Sequence, residues 1–178
     1  HRPNRRQRQM CIRDREYIIP ISFDGTREAI ELNIGSKKSA VTFLTSGGAI
    51  GIFPGGTVST SKTPFSEPLD PSWRSFTARM ISKSKATVIP VYFEGHNSRL
   101  FQLASHLSYN LRMALLMKEF QNRIDRPIKI SVGRPIYHCQ LETYSDNPKQ
   151  MMKILREKTY AMGTVSYTHL RAHETTSY

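Results

Sequence analysis

Four short apolar runs punctuate this chain, at Tyr17 to Phe23, Ala49 to Phe53, Ala86 to Phe93 and Ile128 to Val132. Each stops at proline, glycine or a polar residue, and each has strand length rather than helix length. The stretches between them carry helical spacing. Thr26 is placed to cap a helix, with Glu28 and Glu31 in its first turns, where the helix dipole favours acids. That helix runs to about Leu44 and ends at Gly47 and Gly48. Pro71 suits the first turn of a helix carrying Trp73, Phe76 and Met80 on one side. A long helix is expected from Leu107 to Ile124, and a last one from Asn147 to about Ala161, with Pro148 near its start. Strands alternating with helices in this order predict an α/β fold with a largely parallel sheet flanked by helices. Pro20 places the first strand at an edge or a bulge.

The chain has 178 residues and is 38 % apolar, enough for one core and too ordered in composition for wholesale disorder. Its two cysteines, Cys11 and Cys139, exclude a disulfide framework and a zinc cluster. The net charge of +12 invites a nucleic-acid or anionic-membrane reading. Part of that charge is concentrated at one end. Residues 1–15 hold six arginines against Asp14, whereas the middle is much less basic. No aromatic-basic interleaving and no recognition helix stands out, so a nucleic-acid-binding module rests on charge alone. No run approaches 18 apolar residues, the length that a membrane-spanning helix needs.

Both ends read as foreign to the middle. Gln7 to Arg15 and Val165 to Thr175 lack periodicity, and both resemble translated sequencing-adapter sequence. The expectation is a non-native or disordered extension over 1–15, a partial domain over 16–163 and a similar tail over 164–178, neither end packing well. The N-terminal arm is not a signal peptide, because no apolar region follows it.

The segment richest in chemistry is Gly48 to Ser59, GAIGIFPGGTVS. An apolar run enters a proline and two glycines, then Thr57 and Ser59. Glycine lets backbone approach a ligand closely, and its N–H groups can converge on an anion. A Walker A loop needs lysine directly after its last glycine, and Lys62 comes six residues after Gly56, so a nucleotide loop is rejected. A purely structural turn is the plain alternative.

Phe53, Pro54, Gly55, Gly56, Thr57, Val58 and Ser59 resemble the third motif block, FPEGTRS, of the lysophospholipid acyltransferase family. Thr87 to Val91, TVIPV, resembles the fourth block, a strand with a proline between apolar residues. PFSEPLDPSWRSFTARM and VIPVYFEGHNSRLFQLASHLS are similar to a bacterial branch with an FPAGG-type third block, and the likeness covers about residues 17–137. The resemblance implies a partial glycerolipid acyltransferase-like domain that moves a fatty acyl group from acyl-CoA or acyl carrier protein to the hydroxyl of a lyso-lipid. It implies work in membrane lipid biosynthesis, peripheral on the cytoplasmic face of a membrane, with an upstream anchor left open. No cofactor and no metal is expected. The implied substrate-binding residues are Phe53, Pro54, Gly55, Gly56, Thr57, Ser59 and Arg99.

The departures from the family pattern are specific. The family's first block is a histidine, four residues and an aspartate, the histidine acting as general base on the acceptor hydroxyl. None of His1, His96, His106, His138, His169 or His173 has Asp five positions on. The expectation is a catalytically silent fragment, with that block upstream. Gly55 stands for the family glutamate and Val58 for the arginine that meets the acceptor phosphate. An aminoacyl lipid or another lyso-lipid acceptor is therefore open, with Lys62, Arg74, Arg99 or Arg27 as alternative sources of charge. Glu94 to Arg99 either faces a cleft or caps the next segment. Met113, Leu116, Met117 and Phe120 serve either an acyl groove or the core, and the core is the expectation. The Cys139–His138 pair is discounted because neighbours on an extended strand point apart. A non-catalytic lipid-binding domain is the alternative to an enzyme. The Phe53 to Ser59 turn is expected beside the end of the Ala86 to Phe93 strand, the Pro71 helix forming a right-handed crossover between two parallel strands.

Overall fold

The computed structural model describes residues 18–22, 25–63 and 66–174, with side chains as far as 163. Residues 1–15, and the burial of 165–178, lie outside the described residues. The chain divides into two units, one of residues 1–51 with Lys83–Lys85, the other of Ile52–Ser82 with Ala86–Tyr178.

The first unit is built on α1, Arg27–Thr45. Its start and stop follow the local chemistry that the sequence predicts. Thr26 is extended, and its hydroxyl accepts from the Ala29 N–H at 3.2 Å. At the far end the Gly47 N–H reaches Leu44 O and the Gly48 N–H reaches Phe43 O, a Schellman closure with Gly47 at φ +89°. A side chain at Gly48 would displace the exposed Phe43 ring. The expected strand over 17–23 does not form among its described residues. Ile18 to Ser22 is instead tied to α1 side chains. Asn33 takes the Ser22 N–H and gives a hydrogen bond back to Ser22 O, and the Ser36 hydroxyl donates to Pro20 O. Side-chain bonds thus replace the missing ladder.

In the second unit the predicted parallel sheet is overturned. Among the described residues the fold is mostly helical, with two small antiparallel two-stranded sheets. β1, Thr60–Ser61, pairs antiparallel with β2, Pro68–Leu69. α2 spans Ser75–Ser84. β3, Val91–Phe93, pairs antiparallel with β4, Ile130–Val132, and a Val88–Ile136 bridge extends the ribbon. Between them stand α3, Arg99–Leu107, and α4, Tyr109–Arg123. A short α5, His138–Leu141, leads through a 3₁₀ turn at Glu142–Tyr144 to the long α6, Pro148–Glu174. α6 starts one residue after the expected Asn147, whose side chain accepts from Gln150 N at 3.1 Å.

The topology changed for a physical reason. One crossover helix returns the chain to the start of a strand, so the next strand runs parallel. Here two helices intervene, folded back on each other. Ser98 at the start of α3 bonds Glu119 near the end of α4 through both its N–H and its hydroxyl. The second reversal delivers β4 antiparallel to β3. Ala49 to Phe53 forms no strand, because no ladder partner lies beside it.

The core of this unit joins α2, the Ile136 bridge, α5 and α6. Ala78, Ile81, Ile136, Leu141, Met151, Met152 and Leu155 are buried together, with Trp73, Val88 and Tyr144 packed against them. Leu141, Met151 and Met152 are each 1 % exposed. Full burial of such a side chain contributes about 1.5–3 kcal/mol each, so this cluster dominates the unit's stability. Tyr92, on the ribbon face opposite Val91 and Phe93, meets Tyr160 of α6 edge-on at 5.9 Å.

Candidate functional site

Phe53 to Gly56 makes a tight turn, closed by the Gly56 N–H on Phe53 O at 3.2 Å. Gly56 has φ +69°, where a Cβ is strained. Gly55 is buried, and a Cβ built on it would lie 3.4 Å from the Asp70 side chain. The turn is held from below by backbone, Arg74 N–H to Pro54 O at 3.2 Å. Its Phe53 ring is 81 % exposed, yet it lies 6.2 Å from the Phe93 ring, at the end of β3. The turn therefore lies beside the end of the Ala86 to Phe93 run, as expected, although the parallel strands expected to bring them together are absent among the described residues.

Asp70 organises the turn's surroundings. One carboxylate oxygen accepts from the Ser59 hydroxyl, and the other from Trp73 Nε1 at 3.1 Å. Its N–H donates to the Tyr160 hydroxyl at 3.0 Å, and its carbonyl accepts from Arg156 at 2.8 Å. The Arg156 guanidinium lies over the Tyr160 ring, 4.9 Å from its centroid. Burial pushes the Tyr160 hydroxyl above its ordinary value, against the smaller lowering by the Asp70 N–H and Arg156. This clasp ties the glycine turn to the residues that lead into α2 and to α6. Sequence reasoning missed it because Asp70, in SEPLDP, sits in a non-periodic stretch. The Asp-Pro step ahead of a helix was the only local signal.

The remaining candidates are dispersed. Thr57 is exposed and Ser59 half-buried. Arg99 opens α3, which joins this region through Gln102, whose Oε1 accepts from Ser61 N at 2.9 Å. Ser61 Oγ and Gln102 Nε2 are buried there without a hydrogen-bond partner. Arg27 pairs with Glu31 at 3.4 Å on α1, in the other unit. Lys62 is exposed, and Arg74 gives the turn its backbone N–H.

The segment Glu94 to Arg99 serves largely as a cap. Glu94 pairs with Lys129 at 3.8 Å, Arg123 donates to His96 O at 2.8 Å, and the Ser98 hydroxyl accepts from Phe101 N at 3.3 Å. His96 is exposed and its Nδ1 lies 3.0 Å from Asn97 O. His138 and the exposed, free Cys139 stand on α5 rather than on a strand. Among the described residues no group of three metal-binding side chains converges, and no helix is long and apolar enough to cross a membrane.

The expected core role of Met113, Leu116, Met117 and Phe120 does not hold. No residue of α4 is buried, and Met113, Met117 and Phe120 are 44 %, 63 % and 66 % exposed. The helix turns Arg112 over the Phe101 ring of α3 and bonds Ser98 through Glu119. Comparison with family models, with curated proteins and with solved structures finds no match for the chain.

Proposed function

We propose that this chain is the substrate-binding part of an acyltransferase that moves a fatty acyl group from acyl-CoA or acyl carrier protein to a lyso-lipid hydroxyl, at a membrane surface. The observation that carries the reading is the contact of Phe53 with Phe93. It joins the segment that resembles the family's third block to Phe93, two residues past the segment that resembles the fourth, with an exposed aromatic edge beside a glycine turn. An acyl chain is recognised by apolar surface, and a headgroup by backbone and hydroxyls such as those of Gly55, Gly56, Thr57 and Ser59. The general base is a histidine oriented by an aspartate in a block that this sequence does not contain. The chain by itself then binds and does not turn over. An acceptor without a glycerol phosphate suits Val58 at the place of the family arginine.

The test is calorimetric titration of the chain with palmitoyl-CoA, with free coenzyme A as the comparison. Saturable binding of the acylated form is expected, weakened by Phe53→Ala with an unchanged melting midpoint, since that ring is mostly solvent-exposed. Gly56→Val is the poorer probe, because positive φ makes a branched side chain costly whatever the site does. Equal binding of coenzyme A with and without the acyl chain would remove the reading. Acyl transfer by this chain, lost in His96→Ala, would relocate the base to His96.

A further inference from the structure

The α3–α4 hairpin carries an apolar surface that stays exposed among the described residues. On α4, Tyr109, Met113, Met117, Phe120 and the following Ile124 recur at helical spacing and fall within one sector of the helix. Their exposures are 72 %, 44 %, 63 %, 66 % and 55 %. The sector is distinct from the side that meets α3, where Arg112 lies over the Phe101 ring at 5.9 Å and Glu119 holds Ser98. On α3, the side turned inward is Phe101, Gln102 and Ala104, all buried. Leu100, Leu103 and Leu107 form its outer row, at 56 %, 45 % and 70 % exposure. The two rows meet at the corner, where Leu107 and Tyr109 flank Ser108. Two exposed apolar rows on adjoining helices are more than scattered surface residues, and such a surface marks a place of docking.

The charge around it selects the partner. Residues 94–129 hold Arg99, Arg112, Lys118, Arg123, Arg126 and Lys129 against Glu94, Glu119 and Asp125, and Lys129 pairs with Glu94. Glu119 is already engaged with Ser98. A second copy docking symmetrically would bring this cationic surround against itself. An anionic bilayer complements it, the apolar rows entering the acyl boundary and the cations meeting headgroups. The 15 residues of α4 reach about 22 Å, short of the roughly 30 Å hydrocarbon core, so the helix suits the interfacial plane and not a crossing. Tyr109 at the corner has the ring-plus-hydroxyl chemistry favoured at that depth.

We propose that the α3–α4 hairpin is the membrane-docking element of this protein, lying in the surface of a bilayer rich in anionic lipid with Leu107, Tyr109, Met113, Met117 and Phe120 inserted. The proposal deepens the acyl-lipid reading and rests on it for the kind of surface, but its measurement is vesicle binding and not acyl recognition. The experiment is co-sedimentation of the full chain with vesicles of phosphatidylglycerol mixed with phosphatidylcholine, and with vesicles of phosphatidylcholine alone. The informative variant is Met117→Gln with Phe120→Gln, which keeps both charge and helix propensity. The comparison variant is Val132→Gln, on a different exposed apolar face at 68 % exposure.

Expected are binding to the anionic vesicles, release by salt, and a loss of roughly tenfold or more in the double variant at unchanged helix content. The Val132 variant binds as the wild type does. Equal binding by the double variant overturns the proposal, as does equal binding to both vesicle types. A dimer in sedimentation equilibrium that the double variant dissolves also overturns it, and assigns the rows to a second copy. Loss of palmitoyl-CoA binding with vesicle binding intact defeats the acyl reading alone, and the reverse pattern defeats the hairpin alone.

Discussion

Asp70 shows how much one side chain can organise where local sequence patterning is silent. Its carboxylate joins Ser59 to Trp73, and its backbone joins Tyr160 and Arg156, so the glycine turn is referenced to α6 and to the approach to α2 through a single residue. Asp70→Ala is expected to destabilise the second unit by about 2 kcal/mol, since it leaves the indole N–H and the Ser59 hydroxyl without their acceptor. Trp73 is the sole tryptophan, so a shift in intrinsic fluorescence reports the loss directly. An unchanged spectrum with an unchanged melt would mean that the clasp holds nothing. Tyr160 adds a pH dependence of definite sign. Burial raises its hydroxyl above the ordinary tyrosine value of 10.0, so the folded chain holds that proton more tightly than the unfolded one. The contribution is complete below the unfolded value and is lost as pH rises through the folded one. Tyr160→Phe should therefore be less stable near neutral pH by about 1 kcal/mol, for the hydrogen bond from the Asp70 N–H. Its deficit should shrink in strongly alkaline buffer. A deficit constant with pH would exclude the linkage. None of this network was legible in advance, because hydrogen bonds between residues 70 and 160 leave no periodic mark. Gly56 was more readable, because a Pro-Gly-Gly run announces backbone that other residues resist.

At the scale of elements, what the sequence disclosed was local and what it hid was pairing. α1 and the start of α6 follow from caps and spacing, and the Gly47–Gly48 stop was readable to the residue. The apolar runs were harder. A run such as Ala49 to Phe53 has strand composition, but a strand exists only where a partner offers its ladder. The break at Ser108 decided the topology. Reading one helix from Leu107 to Ile124 leaves a single crossover and a parallel sheet; seeing α3 as well reverses the direction of β4. The signal available was Ser98 ahead of Leu100, Leu103 and Leu107, a capping residue before helical spacing. That cap can be weighed. Ser98→Ala removes the acceptor for the Phe101 N–H and one of the two bonds to Glu119. A loss of about 1 kcal/mol in unfolding free energy is expected from urea titration, together with faster amide exchange in the first turn of α3. Exchange unchanged there would show that Glu119 and the backbone suffice to hold the corner.

For the whole molecule the question is where stability resides. The buried cluster runs from Ala78 to Leu155 and lies entirely within the second unit, as do Trp73, Val88 and Tyr144 against it. The first unit buries little more than Ala29, Ser36 and Ala40 along α1, while Ile30, Ile34 and Phe43 are exposed. Small buried side chains contribute little transfer free energy, so α1 relies on its caps and on the bonds from Asn33 and Ser36 to the preceding segment. Composition could not show this asymmetry, because apolar residues are spread along the chain and only the fold decides which are covered. It follows that a chain beginning at Ile52 should keep a cooperative melting transition, with its midpoint within a few degrees of the full chain. The Trp73 signal should survive, since its acceptor Asp70 and its packing partners remain. A second, weaker transition belonging to α1 should vanish from the calorimetric trace of the shortened chain. If the shortened chain instead melts without cooperativity, or exposes Trp73 at once, the seven-residue cluster is not self-sufficient and the two units fold as one. Leu155→Ala made in both chains separates these outcomes. It should cost a similar 2–5 kcal/mol in each if the core is autonomous, and should abolish folding in the shortened chain alone if it is not.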